Sequence, residues 1–148
     1  MRIQRAEQPA RLNGQEAARA FFADCFLRRA PGGPRAAHPA SPPPANVEQL
    51  FVAHLDDQAR CLHLSRHDGQ VGAVGLPVRD IIRDAARLGS AGIVIAHNHP
   101  SGDSTPSVED CRATRRLATA AEAIDLALVD HLVFAGNDCS SFRRMGLL

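Results

Sequence analysis

The sequence predicts an α/β domain, a single mixed β-sheet flanked by helices, and three observations point there. The β-branched apolar run Ile93-Val94-Ile95-Ala96 is too short for a core helix and reads as a buried strand. Apolar residues recur at helical spacing on both sides of it: Val78, Ile81, Ile82, Ala85 and Leu88 before, and Cys111, Thr114, Leu117, Ala118 and Ala121 after. That interleaving is the β-α-β pattern of helices crossing over a sheet. Further upstream, two apolar runs separated by Asp56-Asp57-Gln58 read as a hairpin. A chain of 148 residues fits one domain with a self-sufficient core.

Taken in order, Asn13 or Gly14 caps a first helix through Leu27, with Ala18, Phe21, Phe22, Cys25 and Phe26 on the face that packs against the sheet. Residues 28–46 carry a dense set of prolines and glycines, whose fixed φ and missing donors exclude helix and central strand, so an exposed loop is expected. The division that follows is residues 1–46 as helix plus Pro-rich loop and residues 47–148 as the main domain. Residues 50–55 and 60–66 form the hairpin, with His54 and His63 as cross-strand neighbours. Asp68-Gly69 turns the chain into an irregular stretch, and Pro77 suits the first turn of the helix that ends at Gly89. A long helix spans about residues 107–124. Residues 125–135 read as a strand interrupted or bent at Asp130, and Asn137-Asp138 turns the chain into its last stretch, residues 142–148.

Seventeen basic and sixteen acidic side chains give a net charge near +1, so no global electrostatic footprint favours a nucleic-acid partner. The four cysteines are scattered without a Cys-x-x-Cys pair, and the chain opens without a charged-then-apolar leader, which is the usage of reduced thiols in the cytoplasm. No apolar run approaches the roughly 18 residues of a membrane span.

The chemistry concentrates in His97-Asn98-His99-Pro100-Ser101-Gly102-Asp103-Ser104-Thr105-Pro106-Ser107-Val108-Glu109-Asp110. Residues two apart on a strand point to one side, so His97 and His99 can present nitrogens to a common point, and Pro100 stops the strand. Ser107 and Asp110 have the S-x-x-D form of a helix capping box. Two imidazoles and a carboxylate also make a three-ligand set for a divalent metal, with the fourth tetrahedral position open, as in catalytic zinc sites. A strand-end His pair beside an ordinary helix cap would read the same way locally; the combination and its spacing favour metal ligation by His97, His99 and Asp110.

That spacing, His-x-His, seven residues, Ser, two residues, Asp, resembles the signature of the JAMM (MPN-type) metalloproteases. The string HNHPSGDSTPS, with Arg79-Asp80 before it and Asp130-His131 after it, is similar to the RadC branch of that superfamily over roughly residues 47–148. The resemblance implies a JAB/MPN architecture, cytidine-deaminase-like in its sheet and helices, and a Zn2+ ion on His97, His99 and Asp110. It also implies a peptide or protein substrate, with Ser107 stabilising the oxyanion and a glutamate on an early strand serving as base. On the strand expected to carry that glutamate, residues 61–65, no acid stands. His63 is the stand-in expected there, as base, as fourth ligand or as an idle strand histidine. The leading expectation is thus a zinc-dependent peptidase or isopeptidase. The alternatives are a metal-holding pseudoenzyme that binds a protein partner, for which the missing acid speaks, and the repair-associated role traditionally attached to RadC proteins.

Overall fold

Residues 9–27, 47–68 and 76–148 are described by the structure, a computed structural model. In chain order the elements are α1 (Gly14–Leu27), β1 (Gln49–Leu55), β2 (Cys61–Asp68), α2 (Val78–Leu88), β3 (Gly92–Asn98), α3 (Val108–Glu122), β4 (Ala127–Ala135) and β5 (Asp138–Ser141). The strands form one mixed sheet in the order β2-β1-β3-β4-β5. Only the β3–β4 pair is parallel, because α3 carries the chain back across the sheet; the other pairs are antiparallel. The Pro-rich loop expected at residues 28–46 and most of the irregular stretch before α2, residues 69–75, lie outside the described residues.

Strands β1 and β3 are buried almost along their whole length, which explains their near-continuous apolar runs. Alternate residues feed two cores. Leu50, Val52, Ile93 and Ile95 meet Ile81 and Ala85 of α2 and Ala113, Leu117 and Ala121 of α3. On the opposite face Phe51, Ala53, Val94 and Ala96 meet Ala18 and Phe22 of α1. There Phe26 packs edge-on against Phe51 at 4.9 Å and tilted against Phe134 at 5.1 Å. The helix faces follow the expected spacing, except that Leu88 at the end of α2 is exposed and that in α3 Ala113 is buried where Cys111 stays half-exposed. Shortening the fully buried Leu117 to Ala would cost about 2–5 kcal/mol.

Two glycines have local reasons. Gly89 ends α2 in the left-handed region at φ 64°, its N–H returning to the carbonyls of Ala85 and Ala86. Gly92 opens β3 where a Cβ would stand 3.1 Å from Val129 Cγ2 and 3.4 Å from the Ala127 carbonyl oxygen.

The bend expected at Asp130 is a bulge within one continuous strand. Ile93 pairs with Leu128, but Val94 pairs with Asp130, so Val129 is the extra residue. The bulge shifts the alternation of β4 by one. Leu128 and His131 therefore share the α3 face, whereas Leu132 and Phe134 turn toward α1. The turn falls on Gly136 and Asn137, one residue earlier than expected, because Asp138 already pairs with Ala135 as the first residue of a further edge strand, β5, along residues 132–135. Among the described residues no helix is long and apolar enough to cross a membrane.

Candidate metal centre

His97 stands near the end of β3, opposite Leu50 of β1, and is fully buried on the face covered by α3. Past the strand, the His99 N–H still reaches the Phe134 carbonyl at 2.7 Å, so the second histidine keeps the strand's direction before Pro100 ends it. The Nε2 atoms of His97 and His99 come within 2.9 Å of each other. His99 Nδ1 lies 2.7 Å from the Asp103 carbonyl oxygen, which can only accept; that nitrogen carries the proton and Nε2 keeps its lone pair.

Asp110 reaches the same point from the first turn of α3. Ser107 is the N-cap in extended conformation, its hydroxyl accepting the Asp110 N–H at 3.0 Å while Asp110 Oδ2 accepts the Ser107 N–H at 2.9 Å. The same Oδ2 lies 3.1 Å from His99 Nε2 and 3.4 Å from His97 Nε2. The capping box and the metal-ligand set are thus one structure: the cap aims the carboxylate. Burial of Asp110 opposes its ionisation, but the neighbouring His97 imidazole and the hydrogen bonds with Ser107 outweigh that and hold the carboxyl well below the usual range.

The donor set fits a small tetrahedral cation. Ligands on a zinc ion with bonds of about 2.0–2.1 Å stand about 3.3 Å from one another, close to the 2.9, 3.1 and 3.4 Å found here. His97, His99 and Asp110 form the one group of converging metal-type donors among the described residues.

Behind His97 lies a buried polar chain. His97 Nδ1 is 2.7 Å from His131 Nε2, and His131 Nδ1 is 2.7 Å from Thr114 Oγ1. His131 and Thr114 are almost wholly buried, and the His131 ring stacks on Phe142 with centroids 4.4 Å apart. Complete burial, reinforced by the neighbouring His97, pushes His131 far below its ordinary pKa, so it is neutral.

In front of the ligands opens a cleft of about 690 Å³ whose walls include Glu48, His99, Ser101, Ser107 and Asp110. Glu48 brings a carboxylate to this cleft, where residues 61–65 of β2 offer none. The Gln49 N–H donates to Asn98 Oδ1 at 2.6 Å, which clamps the start of β1 to the end of β3. Leu50 pairs with His97, so continuing that antiparallel register by two residues sets Glu48 opposite His99 and on the same face. Glu48 Oε2 is buried with no hydrogen-bond partner.

His63, the expected stand-in, is not brought to the cluster. It pairs with His54, which lies opposite Ile93 at the far end of β3. Four residues along the strand and two strands across place it roughly 13 Å and 10 Å away in those directions. Its ring neighbours His54 instead, with centroids 6.1 Å apart. Two other acids are engaged: Asp68 with Arg66 through two bonds of 2.8 Å, and Asp103 with the Thr105 N–H at 2.9 Å; Glu109, exposed in the first turn of α3, also lines the cleft. The family resemblance points to the strand after the hairpin turn, whereas Glu48 lies directly before the first strand of that hairpin. Its signal is a carboxylate directly before an apolar strand that runs antiparallel to the histidine strand.

A family model described as a RadC-like JAB domain matches residues 37–147. Among curated proteins, a UPF0758 protein of Bordetella avium is 37% identical over 105 residues, covering 69% of this chain and 46% of that protein. A UPF0758 protein of Roseiflexus castenholzii is 35% identical over 114 residues, covering 70% and 49%. The UPF0758 protein YfjY of Escherichia coli is 33% identical over 102 residues, covering 68% and 64%. The chain therefore spans about half to just under two thirds of the length of these relatives.

Proposed function

The chain belongs to the RadC-like JAB domain family, and from that premise we propose that it is a zinc-dependent hydrolase of peptide or isopeptide bonds. The observation that carries this reading is the pairing of an open His97–His99–Asp110 donor set with the unsatisfied Glu48 carboxylate across the same cleft. A buried carboxylate oxygen without a donor is costly unless a ligand or reacting group supplies one.

When bound, the ion supplies Lewis acidity to a substrate carbonyl and to the attacking water. Glu48 takes the proton from that water and returns it to the leaving amine, the work of a positioned general base turned acid. Ser107 already accepts the Asp110 N–H with an oxygen lone pair, so its hydroxyl proton is left to donate to the developing oxyanion. His99 is braced by Asp103 and His97 by His131, so both rings are oriented before any substrate arrives.

A metal-holding pseudoenzyme was the alternative favoured by a missing acid. The carboxylate of Glu48 in the cleft supports the hydrolase over that alternative, and the net charge near +1 gives a nucleic-acid role no support. The test is the metal-loaded protein against fluorogenic peptide and isopeptide substrates, with Glu48→Gln alongside. The variant should keep its zinc and lose about 10²–10⁴-fold in turnover. Undiminished turnover in Glu48→Gln, or a zinc-filled wild type inert toward both amide classes, would refute the proposal.

A further inference from the structure

The polar chain behind His97 has a direction that can be read atom by atom. Thr114 Oγ1 has a single proton and donates it to the Asp110 backbone carbonyl at 2.6 Å. At 2.7 Å from His131 Nδ1 the same oxygen must then accept, which puts on Nδ1 the single proton of a fully buried ring that is in no ion pair among the described residues. His131 Nε2 is left bare and, at 2.7 Å, accepts the proton of His97 Nδ1. His97 Nε2 is in turn left with its lone pair toward His99 and Asp110.

We infer that Thr114 and His131 are positioning residues that lock His97 in the one tautomer able to bind a metal through Nε2. The inference rests on the metal-centre reading above. The chain also closes on itself: it starts at a ligand on β3 and ends on the backbone of Asp110, a ligand on α3. Two ligands from separate elements are thereby joined by hydrogen bonds as well as through the ion they share. His131 is exposed to the extent of 0% and Thr114 of 1%, so bulk water does not reach the chain to replace a lost link. The Val129 bulge is what makes the arrangement reachable, since without it His131 would face α1.

Thr114→Val keeps the shape and removes the hydroxyl. The His131 Nδ1 proton then has no acceptor among the described residues and is cheaper to hold on Nε2. From there it points at His97 Nδ1 and drives the His97 proton to Nε2, where it blocks the metal. Imidazole ¹⁵N correlation spectra of the metal-free protein should show His131 protonated on Nδ1 in the wild type and on Nε2 in Thr114→Val. Zinc affinity, read by competition with a chromophoric chelator, should fall about 10- to 100-fold in Thr114→Val and stay within about threefold in Thr114→Ser. A wild-type His131 protonated on Nε2, or equal zinc affinity in wild type and Thr114→Val, overturns this inference alone. A wild type that takes up no zinc overturns the metal reading and the inference with it.

Discussion

His97 and His99 bring their Nε2 atoms to 2.9 Å from each other, and the second ring's other nitrogen is spoken for by the Asp103 carbonyl. Two lone pairs cannot face each other at that distance without something positive between them. Either a proton or a metal ion meets that requirement, and the Asp110 carboxylate at 3.1 and 3.4 Å supplies the third ligand that favours the metal.

Asp110 has two duties that substitution can separate. Asp110→Asn keeps an oxygen for the Ser107 N–H, so the helix cap and the melting temperature of the metal-free protein should change little. Losing the anionic ligand should weaken zinc binding by at least about tenfold, or roughly 1.4 kcal/mol. Asp110→Ala should lose both. Elemental analysis and chelator competition check the first effect, thermal melting the second; unchanged zinc binding in Asp110→Asn would remove this residue from the ligand set.

Ser107→Ala deletes the side-chain oxygen that caps α3. The cost should be about 1 kcal/mol of stability, seen as a lower denaturant midpoint. Turnover of zinc-loaded protein should fall about 10²–10³-fold, the worth of a single oxyanion donor. A loss of stability with full turnover would make Ser107 a cap and nothing more.

Because His63 sits beside His54 at the other end of the sheet, His63→Ala should leave zinc content and turnover within about twofold of the wild type, as is usual for a group outside the reacting geometry. Steady-state kinetics decide this. A large loss of turnover with zinc retained would return the role of base to His63.

His54 gives the fold a pH dependence. Burial first, then the neighbouring His63, push its pKa from 6.5 down to about 4 against an opposing pull from Asp84, with His67 a lesser contributor. A depressed folded-state pKa means that the unfolded chain binds the proton more readily. The stabilisation is therefore complete above pH 6.5 and is lost as the pH falls toward 4, to a total of about 3 kcal/mol. Replacing His54 with Phe, which cannot titrate, should flatten the fall in melting temperature over that window. A slope as steep as the wild type's would show that other groups carry it.

Much of the centre was legible because it is local. The two-residue period of a strand sets His97 and His99 on one side, and the four-residue reach of a capping box fixes Asp110 relative to Ser107, so both geometries follow from the covalent chain and backbone sterics. The helices over residues 78–88 and 108–122, and the hairpin pairing of His54 with His63, follow from equally short-range patterns.

Glu48 and His131 belong to the other kind. Glu48 reaches the site only because β1 lies antiparallel beside β3, with Asn98 holding the start of one strand to the end of the other. His131 reaches it only because a bulge at Val129 turns β4 by one residue. By itself the sequence determined which side chains can bind a metal and how they are spaced along one strand and one helix turn. Strand order, pairing direction and the bulge, and with them the placement of Glu48 and His131 beside the His97 cluster, were decided by how two layers of helices bury both faces of the sheet. That packing is a competition among contacts far apart in the chain, and no local pattern records its outcome.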